Sequence, residues 1–271
     1  MSLLKTIKGL VVCLVMTTTF SAVACAYPYE YGLELVKIEY SPIITGMDFK
    51  EAIAKNACFC ISDLDCNGWL EFTIAKQDAE GRYRDIQCYE YDSDCTDVLR
   101  PLEIRPPEAG FSPRVMYMPG ENKLTAYRHR DEKQGEERYY HVDTTYRQGG
   151  EYTVARQVIN KSNNMLFTYL TAMEKGVISE SASNPGMLTY TPKLYMDANG
   201  KEISKDAFDK AADNYITNTE KVEATFLWIP VAELEKALGL GVDETWETLQ
   251  KSWQGFRFGN DPQGKNPNEL E

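Results

Sequence analysis

The chain has 271 residues, 43% of them hydrophobic, and its 41 Asp and Glu outnumber its 29 Lys and Arg for a net charge of −12. A chain of this length and apolar content can bury a large core, which excludes a wholly disordered protein and a fibrous repeat. The acidic balance argues against nucleic-acid binding, which depends on Lys and Arg, and favours neutral or basic partners.

The first 26 residues have the pattern of a secretory signal peptide. Lys5 and Lys8 precede the apolar run 9–16, and the segment ends in the small residues Ala24-Cys-Ala26. A positive region, a short apolar stretch and an Ala-x-Ala site are the parts of such a leader, whereas a bilayer-spanning helix needs about 20 apolar residues. The sequence therefore predicts an exported protein, either periplasmic or extracellular.

Two cleavage sites are compatible with this leader, and they differ in the fate of Cys25. Cleavage after Ala26 gives an ordinary secreted protein that begins at Tyr27. Cleavage after Ala24 leaves Cys25 first, and the four residues from Ala22 to Cys25 resemble the box of bacterial lipoproteins, in which that cysteine carries the lipid. The resemblance implies a lipid anchor on Cys25, which is the one membrane contact that we predict.

Five of the seven cysteines are clustered after the leader: Cys58, Cys60, Cys66, Cys88 and Cys95. In an oxidising compartment such clustering indicates local disulfide bonds. Cys60 with Cys66 and Cys88 with Cys95 are the short-loop pairings, although the connectivity stays open. Zinc is disfavoured, because zinc ribbons use paired C-x2-C knuckles that this spacing lacks.

The first half of the mature chain is predicted to contain three features before a Pro-rich break. They are a strand at 33–40, a short helix capped by Asp48 with Glu51 in a capping box, and a hairpin of 69–77 with 82–91 that follows a turn at 65–68. The segment 102–113 is rich in Pro and interrupts the pattern. We interpret it as a long connection or a subdomain seam.

A meander of antiparallel strands is predicted next, at 114–118, 123–130, 137–147, 151–160 and 165–173. On the third of these strands, Tyr140 and Val142 lie on one face and His141 and Asp143 on the other. The last strand is apolar on both faces, which indicates a central position. A twisted sheet of this length tends to curl toward a half-barrel or barrel.

The remaining segments are predicted to add a hairpin, three helices and one strand. They are a hairpin of 188–196 with 201–203, a helix capped by Ser204, a strand at 222–229, a helix that starts at Pro230 and a helix after Asp243. The predicted fold class is therefore β-rich α+β: one domain over 27–258, formed by a curled antiparallel meander with a few covering helices. Residues 259–271 are expected to be a flexible tail.

The clearest local signal for a ligand is the segment Asp-Leu-Asp-Cys-Asn-Gly-Trp-Leu-Glu at 63–71. It resembles the first nine positions of a calcium-binding loop, which offers carboxylate and carbonyl oxygens to one ion. The resemblance implies four calcium ligands: Asp63, Asp65, Asn67 and the carbonyl of Trp69. The match breaks at the twelfth position, where Ile74 replaces the bidentate Glu, so another ligand must come from elsewhere. The alternative is a hairpin turn without an ion.

Two other constellations have simpler interpretations. His141 and Asp143 could orient an imidazole for acid–base chemistry, with His129 nearby, but a polar sheet face explains the pair equally. Asp197-Ala-Asn-Gly200 contains part of the calcium pattern and is interpreted as a turn. The sequence contains no G-x-S-x-G, H-E-x-x-H or phosphate-binding glycine motif.

These observations predict an exported binding or interaction protein without enzymatic activity. The expected architecture is loosely similar to periplasmic lipid carriers with incomplete barrels, as a fold analogy only. Two classes of partner stay open. An apolar small molecule would need an apolar cavity of several hundred Å³ under the meander, whereas a basic protein would need an acidic face, as on an inhibitor or immunity protein. The alternative function is a carboxylate-based hydrolase with a structural calcium ion.

Overall fold

The computed structural model describes residues 44, 46–67, 70–78, 81, 83–91, 99–105, 122–131, 135–162, 165–180 and 187–260. Within these ranges the predicted β-rich α+β class is confirmed, since strands dominate and form two largely antiparallel sheets. None of the helices in these ranges is long and apolar enough to cross a bilayer.

The described strands and helices are numbered in chain order. The strands are β1 (Ala57–Ser62), β2 (Glu71–Gln77), β3 (Tyr83–Tyr91), β4 (Leu99–Pro101), β5 (Glu103–Arg105), β6 (Lys123–Asp131), β7 (Gly135–Gln148), β8 (Glu151–Ser162), β9 (Met165–Glu180), β10 (Leu188–Asp197), β11 (Glu220–Thr225), β12 (Ile229–Pro230) and β13 (Arg257–Phe258). The helices are α1 (Phe49–Ala54), α2 (Lys205–Asp209), α3 (Ala211–Tyr215), α4 (Val231–Leu240) and α5 (Val242–Gly255).

The strands divide between a smaller and a larger sheet. Sheet 1 has the order β12-β1-β2-β3-β4, and sheet 2 has the order β10-β9-β8-β7-β6-β11-β13, with β5 parallel to β9. The predicted hairpin is β2 with β3, and the meander from β6 to β9 is confirmed and continues into β10. The expected curling does not produce a closed barrel among the described strands, because sheet 2 ends at β10 and β13.

Both sheets contribute to one continuous core. Its largest fully buried side chains include the aromatic rings of Phe59, Phe72, Tyr140 and Phe258. The rings of Phe59 and Phe72 are stacked with their centroids 5.5 Å apart, and Tyr140 meets Phe258 edge to face at 5.7 Å. These aromatic rings are therefore part of the buried core of the described residues.

A second, smaller core lies on the other face of sheet 2, under α2 and α3. It consists of Tyr127, Val158, Ala212 and Ile216, with Tyr139 packed against them. Adjacent residues of β7 therefore serve different cores, since Tyr139 belongs to this one and Tyr140 to the large one. This confirms the predicted alternation of faces along β7.

Two predicted elements of the second half are split in the structure. The helix after Ser204 is two short helices with a break at Lys210, near the point where the Phe208 carbonyl accepts a hydrogen bond from Arg156 of β8 (2.8 Å). The predicted strand 222–229 is β11 in sheet 2 and β12 in sheet 1. Alternation continues through the crossing, because Phe226 and Trp228 are both buried there, and so the sequence pattern does not reveal the change of sheet.

Smaller differences concern the other connections. The predicted arm 201–203 is reduced to a single bridge between Met196 and Glu202. The predicted seam at 102–113 begins where the chain passes from β4 in sheet 1 to β5 in sheet 2, with Leu102 buried between them.

Several predictions fall outside the described residues and stay predictions. They are the leader 1–26 with Cys25, the strands 33–40 and 114–118, the contributions of Trp69 and Cys95, and the tail from 261 onward. The assignment of 27–258 to a single domain also stays a prediction.

Candidate cation site

The candidate site is formed by the connection between β1 and β2, which are adjacent antiparallel strands. Ser62 and Glu71 stand opposite each other at its base. Glu71 Oε2 accepts hydrogen bonds from Ser62 Oγ and from the Leu64 N–H, both at 2.9 Å. Asp63 Oδ1 accepts from the Asn67 N–H at 3.1 Å. These bonds fold a polar segment into a compact loop.

Strand β7 of sheet 2 holds the backbone of this loop. Tyr140 Oη donates to the Leu64 carbonyl at 2.7 Å, and Arg138 Nη1 lies 3.4 Å from the Asp63 carbonyl. The loop is therefore fixed from both sheets, and its carboxylates face a buried space between them.

Four carboxylates meet in that space, and we call them the carboxylate cluster: Asp63, Asp65, Glu71 and Glu90. Lys161 of β8 enters it from sheet 2. Its Nζ lies 2.5 Å from Glu90 Oε1, 2.7 Å from Asp65 Oδ2 and 3.5 Å from Glu71 Oε1. The side chains of Lys161 and Glu71 have no exposed surface, and that of Glu90 is 3% exposed. The ammonium group thus bridges the two sheets inside the protein.

Negative charge is in excess at this point. Burial raises the pKa of Glu71 well above its ordinary value, and the neighbouring acids raise it further while Lys161 opposes them. Burial also raises the pKa of Glu90, again against Lys161. Burial lowers the pKa of Lys161, but the surrounding carboxylates outweigh this effect and the net shift is upward. One ammonium group does not compensate this set of acids.

Two buried carboxylate oxygens of the cluster, Asp65 Oδ1 and Glu71 Oε1, accept no hydrogen bond. Asp63, Asp65 and Glu71 each place one carboxylate oxygen within 4.8 Å of those of the other two. The structure therefore brings together two of the predicted calcium ligands, Asp63 and Asp65, and adds Glu71.

Asn67 and Trp69, the other predicted ligands, have different outcomes. Asn67 uses its amide nitrogen, which lies 3.3 Å from Asp65 Oδ2 and 3.2 Å from Glu90 Oε1, so it acts as a donor to the cluster. Trp69 lies outside the described residues, and its carbonyl stays a prediction. Sequence reasoning missed Glu90 and Lys161, although a lysine two positions after the apolar pair Val158 and Ile159 of β8 is an unusual signal.

The raised pKa of Glu71 predicts how stability depends on pH. In the unfolded chain this carboxyl loses its proton near pH 4.5, whereas in the folded protein it keeps the proton to higher pH. The free energy of unfolding therefore decreases as the pH rises from about 4.5 toward the higher pKa of Glu71 in the folded protein. The side chain introduced by Glu71→Gln is neutral at every pH. We therefore expect the free energy of unfolding of this variant, relative to the wild type, to increase by about 1 kcal/mol or more between pH 5 and pH 8. Urea denaturation in the presence of a chelator measures this difference.

Glu223→Gln provides the control for this pH profile. Glu223 is paired with Lys123, and its side chain is 60% exposed. The difference in unfolding free energy between Glu223→Gln and the wild type should therefore stay constant between pH 5 and pH 8. A Glu71→Gln profile that runs parallel to the wild type would contradict the assignment.

His141 and Asp143 are brought together as the sequence suggested, but within a larger ion-pair network. His141 Nε2 lies 3.0 Å from Asp143 Oδ1, and Arg156 binds both oxygens of that carboxylate at 3.0 and 2.8 Å. Burial opposes ionisation of Asp143, yet the hydrogen bonds from His141 and Arg156 lower its pKa to about 2. A carboxylate fixed in this way favours the interpretation as a polar sheet face.

The cysteines are arranged as core residues in the described part. Cys58, Cys60 and Cys88 are buried free thiols, and burial raises the pKa of each. Cys60 and Cys88 lie on either side of Thr73 across three strands, about 10 Å apart and too far for a bond. The pairings of Cys60 with Cys66 and of Cys88 with Cys95 are not formed in this structure. Export of the protein and disulfide formation in an oxidising compartment both stay predictions.

A second surface of interest is formed by α4 and α5, and we call this pair of helices the helical hairpin. A groove runs between the two helices. It has a volume of about 460 Å³ and is lined by Glu233, Lys236, Ala237, Leu240, Glu244, Glu247, Thr248 and Lys251. Lys251 crosses it to Glu233 at 3.4 Å. At its tip, Leu240 and Val242 are 64% and 68% exposed.

Comparisons with known proteins do not assign this architecture to a family. Family models, curated proteins and solved structures all returned no match to the chain.

Proposed function

We propose that the protein is an exported, non-enzymatic interaction protein whose helical hairpin binds a basic, amphipathic segment of a partner protein. The observation that carries the proposal is the composition of the hairpin surface. Five acidic side chains against two lysines are exposed on it, beside the apolar tip: Glu233, Glu235, Asp243, Glu244 and Glu247 against Lys236 and Lys251. An apolar contact rimmed by mainly acidic side chains suits a partner with apolar residues flanked by Lys and Arg.

The hairpin is positioned to present this surface rigidly. Val231, Leu234 and Ala237 of α4, and Leu249 and Trp253 of α5, anchor the two helices in the protein interior. The opposite faces are therefore held toward solvent in a fixed arrangement. A preorganised surface of this kind loses little conformational freedom when a partner binds.

The packing of the interior favours docking on the surface over enclosure of an apolar ligand. A carrier needs an apolar cavity beneath the meander, whereas Lys161 and the carboxylate cluster occupy part of the space between the described parts of the two sheets, and the Tyr140–Phe258 pair is buried in the same core. The groove at the hairpin is instead open and lined largely by charged residues.

The arrangement of the carboxylates also favours a structural role over hydrolysis. A hydrolase needs its acid and base at a site that substrate can reach. Glu71 and Glu90 have shifted pKa values, but their side chains are buried in contact with Lys161. The cluster therefore supports the fold and does not require us to assign a reaction.

A peptide of defined chemistry tests the docking proposal. We expect a synthetic amphipathic helix of Lys and Leu, about 18 residues long, to bind at micromolar concentration, and a Glu–Leu helix of equal length not to bind. The double substitution Glu244→Lys with Glu247→Lys should weaken binding about tenfold or more. Isothermal titration calorimetry measures the affinity.

The control places the same charge changes on sheet 2, outside the helical hairpin. Glu151 of β8 and Glu202 beside β10 are also exposed, and their joint replacement by Lys should leave the affinity nearly unchanged. Equal losses in the two double variants would mean that the peptide responds only to net charge, and the docking proposal would then be rejected.

A further inference from the structure

We propose that Asp63, Asp65 and Glu71 bind one calcium ion in the loop between β1 and β2. This inference is independent of the helical hairpin, because the site lies between the two sheets.

The first reason is that two buried carboxylate oxygens of the cluster accept no hydrogen bond. Lys161 Nζ makes its close contacts to Asp65 Oδ2 and Glu90 Oε1. Asp65 Oδ1 and Glu71 Oε1 are buried and accept no hydrogen bond, and Glu71 Oε1 has only the longer ion-pair contact of 3.5 Å to Lys161 Nζ. A buried carboxylate oxygen without a hydrogen bond is costly, and native proteins satisfy most such atoms with a donor, a water or an ion. The lysine thus hydrogen-bonds one pair of oxygens, and a second pair is available to another cation.

The spacing and chemistry of the ligands are the second reason. Oxygens bound to the same calcium ion lie 2.3–2.6 Å from it, so they can be no more than about 5 Å from one another. The three carboxylates of Asp63, Asp65 and Glu71 satisfy this condition, since their ligand oxygens lie within 4.8 Å of each other. Oxygen ligands without imidazole favour calcium over zinc.

The charge of the site is the third reason. When all four carboxyl groups are ionised, they and the one ammonium group carry an excess of negative charge, which a divalent cation would largely neutralise. Lys161 remains beside Glu90 and Asp65 Oδ2 when the ion is bound, and its positive charge keeps the affinity below that of an all-acidic site. The ion would join the start of β2 to the loop that follows β1, and it would stabilise the edge at which sheet 1 meets Lys161 of sheet 2.

Thermal unfolding and calorimetry of the whole protein test the site. After treatment with a chelator, we expect calcium at about 100 times its dissociation constant to raise the melting temperature by about 5–10 °C. Asp65→Asn and Glu71→Gln should each reduce the calcium affinity at least tenfold. Asp63→Asn is the milder variant, because its amide oxygen can still accept from the Asn67 N–H, and it should reduce the affinity while the fold is retained.

Asp197→Asn is the matched control. Asp197 lies in the related Asp-x-Asn-Gly segment, where its Oδ1 accepts from the N–H groups of Asn199 and Lys201 at 2.9 Å each. Because this carboxylate stabilises its own turn, Asp197→Asn should not change calcium binding. The inference is overturned if millimolar calcium produces neither heat nor a thermal shift in the wild type at pH 7.5. It is also overturned if Asp63→Asn binds calcium as the wild type does.

Discussion

Replacing Lys161 by methionine is expected to lower the free energy of unfolding by about 3–5 kcal/mol. Methionine fills a similar volume, but it removes the ammonium group that contacts Asp65 and Glu90. The carboxylates would then lie in a buried space without that counter-charge, and they would have to take up protons or draw in water. Urea denaturation at pH 7 measures the loss, which should diminish at lower pH, because burial raises the pKa values of Glu71 and Glu90 and favours their neutral forms.

Lys221→Met is the matched control for this experiment. Lys221 also forms an ion pair, with Asp213 at 2.8 Å, but its side chain is 56% exposed. Its replacement should cost about 0–1 kcal/mol. A Lys161→Met protein that loses no more than this control would show that the buried charges are not coupled as the contacts indicate.

Replacing Phe72 by alanine is expected to have a comparable effect, with a loss of about 3–5 kcal/mol. Phe72 has no exposed surface and stacks on Phe59, so the substitution leaves an apolar cavity in a close-packed core. Such a cavity stays dry and can take up a small apolar molecule. Denaturation with and without benzene measures both effects, since benzene should restore part of the lost stability.

An exposed aromatic residue provides the comparison. Tyr215 on α3 is 48% exposed, and Tyr215→Ala should change the stability by about 0.5 kcal/mol. If Phe72→Ala were equally mild, the core around Phe59 and Phe72 would not be close-packed as the stacked rings indicate.

Local elements of the fold followed from the sequence because short-range chemistry determines them. Asp48 caps α1 and accepts from the Glu51 N–H at 2.9 Å, as the capping pattern predicts. The strands of the meander also lie where the turn residues place them. The division into two sheets did not follow, because an alternating pattern is the same whether a strand stays in one sheet or, as between Thr225 and Ile229, changes to another.

The candidate site was predictable in the same partial way. Asp63 and Asp65 were recognised because they lie close together in a known loop pattern. Lys161 and Glu90 reach the loop from other strands, and a sequence without its fold does not show which distant charges meet. The role of Asn67 differed because its amide can either accept or donate, and its neighbours decide which.

The pairing of β1 with β12 determines when sheet 1 can be completed during synthesis. Cys58 and Phe59 pair with Pro230 and Ile229, and Ser252 supplies the acceptor for the Ile61 N–H at 3.0 Å. Until β12 and Ser252 have been synthesised and have left the ribosome, the backbone N–H and C=O groups along one edge of the apolar strand β1 have no partner. Such an edge can pair with another chain. Such long-range closure is slow, so we expect the nascent chain to need a chaperone that shields this edge.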